Sequence, residues 1–186
     1  MEGRILYFER AGKRNTEATL QAARQRAKEL GIRQIVVAST HGYTAKLARE
    51  AFDGLGVEII AVSICAGFEE KGWTMTTEER AELEALQIKV LTCIHALGDD
   101  VNEALGVTTP NKVVRETLYR FCQGMKVAVE CALMAADAGL VDTSREILSI
   151  AGTGEGADTA IVVKPAYTRK FADLEILEIL AKPRRA

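Results

Sequence analysis

The stretch that most constrains the fold is residues 32–47, IRQIVVASTHGYTAKL. Ile35, Val36 and Val37 form a continuous apolar, β-branched run, which suits a strand covered on both faces. Seven small or polar residues then turn the chain, and an alanine-rich helical pattern starts at Ala45. The order is therefore strand, short polar loop, helix. A helix N-terminus leaves backbone N–H groups without partners and carries the positive end of the helix dipole. With Ser39, Thr40 and Thr44 beside it, this loop reads either as a cradle for a phosphate or as an ordinary loop before a capped helix.

The same alternation continues along the chain. Residues 5–8 suit a short edge strand and residues 10–14 a basic loop. Asn15 is placed as the N-cap of a helix over 18–30, which Gly31 stops. After the strand at 32–38 come a helix at 45–52, a turn at 53–56 and a second buried strand at 57–64. Residues 65–77 read as a long loop holding the sole tryptophan, Trp73. A charged helix at 78–86 and a third strand at 88–92 follow, and 95–107 is partly helical in composition. Pro110 opens a long helical region divided at Gly124, whose second half, 125–138, is almost wholly apolar and so buried. The fourth strand, 146–151, and the fifth, 159–164, leave no room for a helix between them and form an antiparallel hairpin. The tail LEILEIL fits a last strand better than a short helix. Helices alternating with buried strands define an α/β class with a largely parallel central sheet, in one domain over 1–186.

Charge and composition remove several function classes. With 24 basic and 26 acidic residues there is no net field to attract nucleic acid, and aromatics at 5% leave few stacking platforms for single strands. No apolar run approaches membrane-spanning length, and MEGRILYFER lacks the apolar core of a signal peptide, so a cytoplasmic protein is expected. Cys65, Cys93, Cys122 and Cys131 lack C-x-x-C spacing and read as small buried hydrophobes. With only His41 and His95, no metal cluster is expected.

In sheets of this kind ligands bind beyond the carboxyl ends of the strands, where the winding reverses. If the sheet grows outward from the strand at 32–38 and returns for the fourth strand on its other side, loops 39–44 and 152–158 meet there. A helix leading into a parallel strand starts at that same edge. This adds Asn15 and Thr16, and also Gly124 and Lys126. Lys126 reads either as a positive charge for a ligand or as an i,i+4 partner of Glu130. The loop GTGEGAD lacks G-x-G-x-x-G spacing and a following helix, so it is no dinucleotide fingerprint, and no G-K-[ST] occurs. Its glycines suit either a hairpin turn or close backbone approach to a ligand, with Asp158 as an acceptor.

The motifs resemble a known family. The strand–ASTHGYTA–helix loop resembles the phosphate-binding loop of the pyruvate kinase C-terminal domain, and GTGEGADT resembles that domain's terminal hairpin. The whole chain is similar to stand-alone proteins of the pyruvate kinase α/β-domain-like family. The shared motifs cover 15–20, 36–45, 67–68, 124–130, 134–139 and 156–166. The resemblance implies a three-layer α/β/α sandwich with a terminal antiparallel hairpin, and flavin mononucleotide (FMN) as a ligand. It does not imply pyruvate kinase activity, because that chemistry needs a TIM barrel of about 250 residues. His41-Gly42-Tyr43 also lacks the arginine of the kinase loop, against a sugar bisphosphate. On this reading the phosphate rests on Ser39, Thr40, Gly42 and Thr44, and His41 of the same loop is a further ligand contact. The ring lies near Gly67, Phe68 and the loop 152–158, with Gly152, Thr153, Gly154 and Asp158 as contacts, covered by Trp73 or Tyr43. A non-enzymatic sensor of a phosphorylated metabolite and an oligomerisation module are the alternatives.

Overall fold

The computed structural model describes residues 3–98 and 100–185. Seven strands form one sheet: β1 (Leu6–Phe8), β2 (Gln34–Ala38), β3 (Glu58–Ile64), β4 (Ile88–Cys93), β5 (Ile147–Ala151), β6 (Thr159–Lys164) and β7 (Glu175–Pro183). Their order across the sheet is β1-β7-β6-β5-β2-β3-β4. β3, β2 and β5 run parallel, with Ile35 opposite Ile59 on one side and Leu148 on the other. The sheet thus winds outward from β2 through β3 to β4, then returns to place β5 on the far side of β2. β6 reverses against β5 and β7 against β6, while β1 lies parallel to β7 at the edge. The tail is the strand that its alternation suggests.

Two apolar layers sandwich the sheet because β2, β3 and β5 are apolar on both faces. On one face lie α1 (Thr16–Leu30), α2 (Tyr43–Ala51) and α3 (Thr77–Ala85), through Leu20, Ala23, Ala48 and Leu83. On the other lie α5 (Pro110–Tyr119) and α6 (Gln123–Asp137), through Leu118, Met125, Val129 and Leu133. A short helix, α4 (Asp100–Ala104), lies in the segment between β4 and α5. Among the described residues no helix is long and apolar enough to cross a membrane.

Several local expectations change. The long helical region breaks at Cys122, whose extended backbone and thiol cap α6 by accepting from the Met125 amide at 3.3 Å. Gly124 lies inside α6 and serves packing instead. A Cβ there would stand 2.2 Å from Thr159 Oγ1 and 2.6 Å from Thr159 Cβ. The basic loop and the Trp73 loop contain 3-10 turns, at Lys13–Asn15 and Ala66–Lys71. Asn15 precedes α1 but its side chain does not cap it, donating instead to the Arg10 carbonyl at 2.7 Å. Cys122 and Cys131 are buried as expected, whereas Cys65 and Cys93 are only partly covered at strand ends.

Candidate functional site

The carboxyl edge of β2 sets the site. Past Ala38 the chain leaves the sheet with one last bond, Ser39 N to Val62 O at 2.9 Å. Gly42 then takes a φ of 85°, in the left-handed region that glycine enters without strain, and α2 starts at once. The Ser39 hydroxyl accepts from the Ala45 amide at 3.2 Å, so it caps the helix from six residues upstream. The Tyr43 and Thr44 amides have no partner among the described residues, and neither has the Thr44 hydroxyl. Positive helix-end charge and free donors are thus left facing outward.

Those groups open into a cavity of about 740 Å³. It lies where the winding reverses, between the loops that follow β2 and β5. One wall is Ser39, Thr40, His41 and Thr44, and the opposite wall is Gly152, Gly154, Glu155 and Gly156. Lys71, Gly72 and Trp73 close a third side, and α6 contributes Gln123, Lys126 and Glu130. A second, mainly apolar cleft of about 820 Å³ lies between β4, α4, α5 and the far end of α6, with His95 and Met134 shared between the two.

The glycine loop is held from beneath. Asp158 is fully buried and does not line the cavity. Its Oδ2 accepts from the Gly12 amide at 2.8 Å and the Thr153 amide at 3.2 Å, while Oδ1 accepts from the Thr159 hydroxyl at 2.8 Å. Thr16 also faces the loop from below, accepting from the Ala157 amide at 3.0 Å and donating to the Lys13 carbonyl at 2.6 Å. Gly156 packs so tightly there that a Cβ would lie 2.4 Å from Thr16 Oγ1, whereas Gly154 faces open space.

Of the residues expected at the site, Ser39, Thr40, His41, Thr44, Lys126, Gly152 and Gly154 line the cavity. Asn15, Thr16, Gly42, Thr153 and Asp158 form the frame around it. Gly67 and Phe68 lie off its wall. Phe68 reaches it through Trp73, against which it stacks with ring centroids 6.1 Å apart. Lys13, Lys71, Tyr119 and Gln123 join the lining without a signal in the sequence. Lys13 comes from the basic loop, where its ammonium lies 4.2 Å from the centre of the Tyr43 ring and 3.1 Å from Glu155.

Two charged contacts shape the walls. His41 Nδ1 lies 3.1 Å from Glu79 and Nε2 lies 3.0 Å from the Gly72 carbonyl. Both neighbours accept, so the doubly protonated ring satisfies both, and the Glu79 hydrogen bond raises its pKa above the usual histidine range. On α6, Lys126 and Glu130 form a buried ion pair, and the second Glu130 oxygen accepts from the Leu97 amide at 2.9 Å. Lys126 therefore has its i,i+4 partner and a place in the cavity wall together. Cys131, beside the pair, is fully buried, and desolvation pushes its thiol far above the usual range.

The fold is that of an α/β domain with a mostly parallel seven-stranded sheet. The family profile described as pyruvate kinase, alpha/beta domain matches residues 17–163, and the chain belongs to that family. Among solved structures, Cryptosporidium parvum pyruvate kinase in complex with ADP is similar at 15% identity and a TM-score of 0.39, over 90% of this chain. A Podospora anserina methyltransferase, PaMTH1, bound to SAH, is similar at 14% identity and a TM-score of 0.35, over 75% of this chain. This chain spans 24% of the length of that kinase and 53% of that methyltransferase.

Proposed function

We propose that this domain binds a phosphate-bearing small molecule in the β2–β5 cavity, with FMN as the ligand, and acts in the cytoplasm as a flavoprotein. The observation that carries the reading is the set of unpartnered Tyr43 and Thr44 amides and the Thr44 hydroxyl opening onto that cavity. Free amides at a helix N-terminus bind phosphate through directed hydrogen bonds and the helix dipole together. A volume of about 740 Å³ falls within the range of small-molecule pockets and exceeds what a phosphate alone needs. The residues fit FMN. Thr40, Thr44 and the α2 amides suit the phosphate, Trp73 and Tyr43 offer ring faces, and Lys126 offers a charge at the α6 end. When bound, a flavin supplies electron transfer, and the chain supplies orientation and electrostatics.

Thr44→Glu tests the phosphate position. A carboxylate suits the start of α2, so the fold survives, but it competes for the same amides and repels the phosphate. Two like charges about 4 Å apart cost roughly 1 kcal/mol in water and more where screening is poorer. FMN binding falls at least several-fold, by about fivefold for each kcal/mol, while riboflavin, with the same ring and no phosphate, loses much less. Fluorescence titration of both flavins against both proteins measures the difference. Equal losses put the phosphate elsewhere, and thermal stabilisation by sugar phosphates but not by either flavin identifies a metabolite sensor instead.

A further inference from the structure

Lys126 is placed against its own local electrostatics. It lies in the first turn of α6, whose N-terminal end already carries positive dipole charge. It is also buried, where an ammonium loses hydration. Glu130 offsets part of that cost, yet Glu130 divides its two oxygens between Lys126 and the Leu97 amide. An ammonium has three donors. Besides Glu130, the face of Tyr119 stands 5.9 Å from the Lys126 ammonium, and Lys126 lines the cavity. A purely structural pair would be about as stable as an apolar pair of similar volume. The cavity thus offers hydrogen-bond donors at two places, the second paired with Glu130, which lines the cavity too. One is the α2 amides and Thr44; the other is Lys126 on α6.

We infer that Lys126 is the anchor for a second electron-rich group on the ligand, opposite its phosphate, one that gains negative charge when the ligand is reduced. This rests on the flavin reading. Two electrons and one proton, with the proton at ring N5, convert an oxidised flavin to a reduced form whose negative charge spreads over N1 and the C2 carbonyl. A cation held beside that part of the ring binds the reduced form more tightly than the oxidised one. Glu130 acts as a positioning residue, holding the ammonium with one oxygen while the other accepts from the Leu97 amide.

The test uses purified protein loaded with FMN, with dithionite as the electron donor. Lys126→Met alone strands the Glu130 carboxylate, so the Lys126→Met/Glu130→Gln double variant is measured beside it. Glutamine keeps an acceptor for the Leu97 amide. Affinity for oxidised FMN is expected to fall in the double variant, and affinity for reduced FMN to fall further. The preference for reduced over oxidised FMN falls about tenfold, which lowers the two-electron midpoint potential by about 30 mV. Glu130→Gln alone leaves the ammonium in place and keeps or raises the potential. An unchanged potential in a folded, FMN-binding double variant overturns the inference and leaves Lys126 as a structural ion pair. Failure of the wild-type protein to bind FMN overturns the functional reading itself and this inference with it.

Discussion

Asp158 offers the sharpest separation between framing the site and contacting the ligand. Its carboxylate is completely buried and joins three segments: Gly12 before α1, Thr153 in the glycine loop and Thr159 at the start of β6. Asp158→Ala removes the acceptor from both amides and from the Thr159 hydroxyl. The hydroxyl can turn toward Cys122 Sγ, which lies 3.4 Å away. The two amides have no such alternative. Both amides are part-buried, so each costs toward the lower half of roughly 1–3 kcal/mol, and the alanine variant loses about 3 kcal/mol. Asp158→Asn retains one oxygen for the two amides but without charge, and the neutral bonds are about half as strong. It loses close to half as much. For a chain of this length 1 kcal/mol corresponds to about 2–4 °C in Tm, so the alanine variant melts about 6–12 °C lower. Urea unfolding followed by Trp73 emission gives the free energy, and FMN titration of the folded variants gives the affinity. Alanine stability within about 1 kcal/mol of wild type would refute the framing role, since two stranded amides cannot cost so little. A tenfold affinity loss with unchanged stability would instead make Asp158 a ligand contact.

Two other perturbations probe a wall contact and the packing behind the site. The raised pKa of His41 means that its contribution to stability is complete below its ordinary value of 6.5 and is lost as pH rises through the higher folded value. Stability and Trp73 emission measured across pH 5.5 to 9 should titrate above 6.5 in wild type, and His41→Gln should flatten both curves. Gly124→Ala adds a methyl against Thr159 where α6 meets β6. Overpacking of about 1–3 kcal/mol outweighs the gain of about 1 kcal/mol from helix propensity, so urea unfolding should show a net loss. A gain would mean that Gly124 is an ordinary helix glycine.

What could be read in advance followed from local chemistry. The β-branched run at 35–37 and the small, polar turn after it fixed β2, its loop and α2. The absence of helix-length sequence between β5 and β6 fixed the hairpin. Both loops therefore met at the predicted edge. The failures share a different cause. Gly124 looked like a helix breaker because glycine ends helices in isolation, but it serves here to let α6 approach Thr159, a contact 35 residues away. Asn15 had the chemistry of an N-cap, and its side chain found the Arg10 carbonyl instead. Lys13 and Lys71 belong to segments without periodicity, so only the folded arrangement of the 3-10 turns brings them to the cavity. Cys65 and Cys93 sit at strand ends, where an apolar neighbourhood in sequence gives incomplete cover in space.

The return of the chain from β4 to β5 has a kinetic consequence. β2, β3 and β4 pair with neighbours close in sequence and can assemble early, through short crossovers. The β2–β5 pairing joins Ile35 to Leu148, more than a hundred residues apart, and loop closure makes such pairings slow. The cavity straddles that junction, so it comes into being only when the two halves of the sheet dock. During refolding, ligand capture would then mark the last event rather than the first collapse, and a chain trapped with β2–β4 formed but β5 astray would keep much of its helix while binding nothing.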